Sequence, residues 1–160
     1  MTATPFTSSF VDHALEVLKS QGLRITRQRR LVLAVLDTTD EALSAYEMKD
    51  RLTAQGEAID TVSIYRIFDC LETHQLVHRV LSSGKVRRCA LGDETACDKH
   101  QHHHCHHFLI CQGCGRTDEL HCPEILDQLE ARLEALAVSP SGFRITGHHL
   151  ELMGLCPACQ

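Results

Sequence analysis

Tryptophan does not occur in these 160 residues, tyrosine occurs twice and phenylalanine five times. A core must therefore rest on Leu, Val, Ile and Ala. No apolar run approaches the ~20 residues that cross a bilayer as a helix, so no membrane partner is expected. The opening stretch MTATPFTSSF has no basic segment leading into an apolar one, so it does not read as a secretory signal. Excess charge of one sign is also modest. The formal net charge is −5, made of 12 Lys/Arg against 11 Asp/Glu up to Gly92 (+1) and 4 against 10 beyond it (−6). Net charge alone does not announce a nucleic-acid binder; local basic clusters must make that case.

Cysteine, by contrast, is abundant. Nine is an odd number, which argues against a fully paired disulfide framework. A reducing, cytoplasmic setting is expected, where metal binding is the commoner use of thiols.

Helical spacing in FVDHALEVLKSQG sets Phe10, Val11, Ala14, Leu15 and Leu18 on one face, with Gly22 as a stop. Thr26 can cap a second helix with Leu31, Val32, Val35 and Leu36 inward. Ser44 and Glu47 have capping-box spacing for a third, ending at Gly56. Asp60 or Thr61 starts a fourth, with Val62, Ile67, Phe68 and Leu71 inward. LVHRVL and KVRRCAL, joined by SSG, read as a β-hairpin. Helices followed by a hairpin are the plan of a winged helix-turn-helix, whose last helix enters the major groove. Residues 92–105 have no apolar periodicity and read as a hinge. Beyond it HFLIC, the turn QGCG and RTDEL precede a helix opened by Pro123 and running to about Val138, and FRITGHHLELMGLC is a last strand. The fold class expected is α+β: a winged-helix domain over 1–91 and a small α/β dimerisation domain over 106–160.

Two Cys-x-x-Cys pairs, Cys111/Cys114 and Cys156/Cys159, carry the strongest signal. Each turn aims two sulfurs at one ion, and the pairs together complete a closed tetrahedral Cys₄ site for structural Zn²⁺. A redox role is the alternative. Four thiolates leave no open position for catalysis.

HQHHHCHHFLICQGCG holds six histidines in its first eight residues, internal to the chain and interrupted by Cys105, unlike an expression tag. If extended, it sets His104 and His106 on one face and His103, Cys105 and His107 on the other. His78 and Cys89 on the hairpin strands, His104, and Glu119 after the knuckle make a candidate tetrahedral N/S/N/O set, and those donors favour Zn²⁺ over six-coordinate Fe²⁺ or Mn²⁺.

LRITRQR, SAYE, TVSIYR, HHFLICQGCG and GLCPAC together resemble the ferric uptake regulator superfamily over essentially the whole chain. Within it the chain most resembles the zinc uptake regulator branch. Cys89, eleven residues after His78, favours that branch over the iron branch. The resemblance implies that Cys111, Cys114, Cys156 and Cys159 hold the structural ion and that His78, Cys89, His104 and Glu119 form the regulatory site. A further site, with His103, Cys105, His106, Glu124 and His148 as candidates, would draw on the histidine run. Ser63 departs from the usual threonine of the recognition helix but retains a hydroxyl.

For DNA, Tyr65 and Arg66 are the candidates for base contacts. Arg27, Arg29, Arg30 and Tyr46 are candidates for phosphates, and Arg87 and Arg88 for backbone beside the wing. The resulting expectation is a homodimeric repressor that binds a palindromic operator when zinc-loaded and controls zinc-uptake genes. It would take no small-molecule substrate besides the ion. Alternatives are an iron- or peroxide-sensing regulator of the same superfamily and a zinc-storage or metallochaperone protein. A hydrolytic zinc enzyme would need an open metal position and HExxH-like spacing, neither of which is present, so no enzyme is expected.

Overall fold

Three side chains decide where three of the helices begin. In the computed structural model the hydroxyl of Thr26 accepts the backbone N–H of Arg29 at 3.2 Å and opens α2 (Arg27–Asp37). Ser44 and Glu47 form a reciprocal box, Glu47 N–H donating to the Ser44 hydroxyl at 3.2 Å and Ser44 N–H to the carboxylate at 2.8 Å, and open α3 (Ala45–Ala54). Asp60 accepts from both the N–H and the hydroxyl of Ser63, and opens α4 (Thr61–Thr73). Each cap satisfies backbone donors that have no partner inside the helix. Ahead of them, α1 (Phe10–Ser20) stops at Gly22, whose φ of +70° suits the left-handed turn that ends a helix.

The residues described are 10–39, 41–89, 107–119, 128, 129, 131–133, 135 and 149–160. The expected hinge at 92–105, the start of the helix at Pro123 and the FRITG segment lie outside them.

The helices pack around Leu18, Val32, Leu33, Leu36, Met48, Leu52, Ile64, Phe68 and Leu71. No tryptophan is needed, because interdigitated aliphatic side chains fill the space at crystal-like density. One expectation is corrected. Val62 is 59% exposed, and Ile64 is fully buried in its place. With Ile64, Ile67, Phe68 and Leu71 at i, i+3, i+4 and i+7 facing inward, a residue two positions before Ile64 is rotated about 200° away from that face. Leu33 likewise joins the core, while Leu31 is only half-buried.

The hairpin forms as expected from β1 (Val77–Val80) and β2 (Lys85–Arg88), antiparallel, with His78 opposite Arg87 and Val77 opposite Arg88. Leu43 adds a bridge to Val86, each N–H donating to the other's carbonyl at 2.8 Å, which fixes the wing to the turn before α3. Val77 and Val86 lie in the helical core. His78 and Arg87 lie on the other face of the ribbon, since successive strand residues alternate.

The second sheet contains β3 (His107–Cys111), β4 (Thr117–Glu119) and β5 (Leu150–Gly154) in the order β4-β3-β5. Its β3–β4 pair is antiparallel and its β3–β5 pair parallel. A parallel pair requires a long crossover. Residues 128, 129, 131–133 and 135, between β4 and β5 in the chain, are helical.

Glu47 does more than cap α3. Lys85 Nζ on the wing donates to its second oxygen at 2.7 Å. Partial burial works against its charge, but the bonds from Lys85 and Ser44 outweigh this and hold the carboxyl at about 2. Depression below the ordinary 4.5 means that stability from this group is present above that value and fades as pH falls from 4.5 toward 2. Glu47→Gln is therefore expected to be less stable than the parent at pH 7, with the gap narrowing across that window. Urea unfolding of both proteins at a series of pH values measures it; a gap independent of pH would contradict the assignment.

Candidate metal centre and nucleic-acid interface

The parallel β3–β5 register aligns Cys111 with Gly154, so the chain leaving each strand turns at the same end of the sheet. QGC and PAC follow as tight turns. Cys111, Cys114, Cys156 and Cys159 converge there with all four sulfurs within 4.8 Å of one another, and they are the group of this kind found among the described residues. Cys114 Sγ and Cys156 Sγ are 3.7 Å apart. That is far beyond an S–S bond of ~2.05 Å and matches the ~3.8 Å edge of a tetrahedron of sulfurs at ~2.3 Å from a central Zn²⁺. The donor set therefore fits zinc on both chemistry and spacing.

Electrostatics fit as well. The backbone N–H of Cys156, 3.3 Å from Cys111 Sγ, and that of Cys114 hold the Cys111 thiol down at about 6. Cys159, crowded by Cys156, Cys114 and Cys111, is pushed up to about 12. Four sulfurs this close cannot all ionise without a cation between them, so metal uptake must displace protons. Gly113 makes the crowding possible. A Cβ added there would lie 3.0 Å from both Cβ and Sγ of Cys159.

His78, Cys89 and Glu119 sit where the wing meets this sheet. Cys89 N–H donates to Leu76 O, which continues the hairpin ladder and sets Cys89 on the same face as His78 and Arg87. Across the junction, Phe108 on β3 pairs with Glu119 on β4 and with Glu151 on β5, so the three side chains form one row on one face. The His78 ring lies 6.5 Å from that of Phe108, centroid to centroid. Arg87 is only 12% exposed and faces Asp118 at 3.8 Å. His78, Cys89 and Glu119 do not by themselves meet the mutual spacing of the cysteine cluster. His104 lies outside the described residues, as do His103, Cys105, His106, Glu124 and His148 of the further set. His107, which opens β3, is 1% exposed.

On α4 the solvent face carries Val62, Tyr65, Arg66 and Asp69 at i, i+3, i+4 and i+7. Tyr65 is 41% exposed and Tyr46 65% exposed. Arg27 reaches Glu57 at 2.6 Å yet keeps 78% of its side chain in solvent. Arg29, partly exposed, donates to Arg24 O at 2.6 Å and to Cys70 Sγ at 3.4 Å, the second bond linking α2 to α4. The Arg87 guanidinium points at Asp118 on the sheet. Arg88 faces Asp37 at 3.6 Å.

Sequence reasoning missed Glu151, Asp118 and Gly113. The first two matter through partners 69 and 31 residues away in the chain, and neither has a local motif. Gly113 was legible as a turn glycine but not as the seat of Cys159.

Gly113→Ala should loosen the cluster without touching a ligand. The expected result is zinc that is lost to a chromophoric chelator at least about tenfold faster than from the parent, with the far-ultraviolet spectrum of the helices retained. Equal loss rates would refute the close approach.

Comparisons with known proteins agree with this geometry. A family model described as the ferric uptake regulator family matches residues 20–153. A zinc uptake regulation protein of Mycobacterium tuberculosis is 32% identical over 146 residues, which cover 89% of this chain and 99% of that protein. A ferric uptake regulation protein of Legionella pneumophila is 34% identical over 146 residues, 89% of this chain and 96% of that protein. A solved structure of a zinc uptake regulator complexed with zinc and DNA superposes with a TM-score of 0.76 at 28% identity, covering 98% of this chain and 96% of that one. This chain belongs to the ferric uptake regulator family.

Proposed function

We propose that this protein is a zinc-responsive transcriptional repressor that binds a palindromic operator as a homodimer when zinc-loaded and controls zinc-uptake genes. One observation carries the reading. The wing face bearing His78 and Cys89 is turned toward the sheet row bearing Glu119, with His78 against Phe108. A ligand set drawn from both would tie the DNA-reading head (residues 1–91) to the dimerisation unit (106–160) across the hinge at 92–105. The likeness to a regulator solved with zinc and DNA supports zinc as the ion and operator DNA as the partner. The iron-sensing alternative is less favoured, since a thiolate with imidazole and one carboxylate is a zinc donor set.

In this reading Cys111, Cys114, Cys156 and Cys159 hold the structural ion, and His78, Cys89, His104 and Glu119 hold the regulatory one. His103, Cys105, His106, Glu124 and His148 remain candidates for a further site. Zinc, when bound, supplies a cross-link. Tyr65 and Arg66 on the exposed face of α4 reach base edges, with Arg27 and Tyr46 toward phosphates. Arg29, which also links α2 to α4 through Cys70, is a further candidate for phosphate contact. With the heads of a dimer held at one separation, both can engage half-sites a helical turn apart. A ~1000-fold gain in operator affinity requires about 4 kcal/mol of coupling, a modest share for each of two protomers. The protein acts in the cytoplasm and catalyses no reaction. No described helix is long and apolar enough to cross a membrane.

Cys89→Ser should bring zinc-loaded operator affinity to within about tenfold of the metal-free protein while the dimer stays folded. Operator titration against buffered Zn²⁺ and Fe²⁺ measures this, and a variant that switches normally would refute the regulatory site. Arg66→Ala should weaken operator binding by about 10- to 100-fold with metal content unchanged; metal analysis beside the titration separates the two effects.

A further inference from the structure

The wing turn between β1 and β2 is held from outside its own domain. Glu151 on β5 accepts the backbone N–H of Leu81 at 2.5 Å through one oxygen and that of Ser82 at 3.1 Å through the other. Consecutive N–H groups converging on one carboxylate form an anion seat, and bonds to an ionised acceptor are stronger than neutral ones. Glu151 is half-buried. Its strand neighbour in the row is Phe108, which meets His78, and the next is Glu119. One row of the sheet thus carries a carboxylate for the wing turn at one end and a proposed zinc ligand at the other.

Arg87 and Asp118 reinforce the junction with opposite charge at 3.8 Å, longer than a hydrogen bond. The Glu151 contacts are the closer ones, and they involve backbone donors that substitution of wing side chains would leave intact.

We propose that Glu151 is a positioning residue for zinc sensing: its carboxylate clasps the wing turn and keeps the face bearing His78 and Cys89 turned toward the row of Glu119, the orientation from which an ion can draw those ligands together. The inference rests on the regulatory site proposed above. A contact that favours the facing orientation raises apparent zinc affinity, because the fraction of protein already competent to bind multiplies the intrinsic constant. Reciprocity then extends the same gain to the operator at limiting zinc. The carboxylate is not a DNA contact, since it would repel phosphate.

The test uses the full-length dimer with Glu151→Ala and Glu151→Gln. Zinc binding is followed by competition with a chromophoric chelator, and operator binding is titrated at buffered free Zn²⁺. For Glu151→Ala, half-occupancy of the regulatory site should need about tenfold more free zinc. Operator affinity at saturating zinc should stay within about twofold of the parent, and the cysteine-cluster zinc should be retained. Glu151→Gln, which keeps one acceptor oxygen, should fall between. Unchanged zinc affinity in Glu151→Ala would overturn the clasp. So would tighter operator binding with and without zinc, the result expected if the carboxylate merely blocks a phosphate seat on the wing. A parent protein whose operator affinity ignores zinc would overturn the regulatory reading itself, a result distinct from both.

Discussion

The parallel pairing of β3 with β5 is the constraint on which the rest of the C-terminal unit depends. One register aligns Cys111 with Gly154 and Phe108 with Glu151. The first alignment brings the two cysteine pairs together at the strand ends. The second puts Glu151 in the row that faces the wing. Side chains alternate with a period of two, so a slip by one residue would turn Glu151 away from the wing and displace Cys156 from Cys111. A three-residue β4 and a five-residue β5 cannot enforce such a register strongly by themselves. Four sulfurs closed on one ion can, since binding energy at a site assembled by folding is folding energy.

The described contacts between head and sheet are mostly polar. Among the described residues the junction contains a tilted ring pair, one long ion pair and a carboxylate on two N–H groups. Interfaces of that kind between domains permit relative motion unless something else holds them. The proposed regulatory ion would act on such a junction by choosing between orientations that its polar contacts alone hold weakly.

Legibility from sequence followed locality. Thr26, Ser44–Glu47 and Asp60 announced their helices because a cap acts within three residues, and the SSG turn announced its hairpin for the same reason. The cysteine cluster was readable although its halves are 42 residues apart at Cys114 and Cys156, because Cys-x-x-Cys geometry leaves little other use for paired thiols. Val62 is apolar by type, but its angle on α4 relative to Ile64 and Phe68, not its type, sets its exposure. The partners of Arg29 and Arg87, Cys70 and Asp118, lie 41 and 31 residues away in the chain, so no local pattern could announce those contacts. Glu151 was invisible in the same way: nothing in LELMG distinguishes a clasp from a solvated strand face.

The two sheets also differ in how far along the chain their partners lie. The wing closes across four residues, Leu81 to Gly84, while β3 must await a strand that begins 43 positions after it, at Leu150. Short-range contacts form sooner than distant ones, because less chain entropy is surrendered before they are rewarded. During folding the helices and wing can therefore settle while the cysteine turns are still apart. For that interval the chain has a finished reading surface and no governor on it.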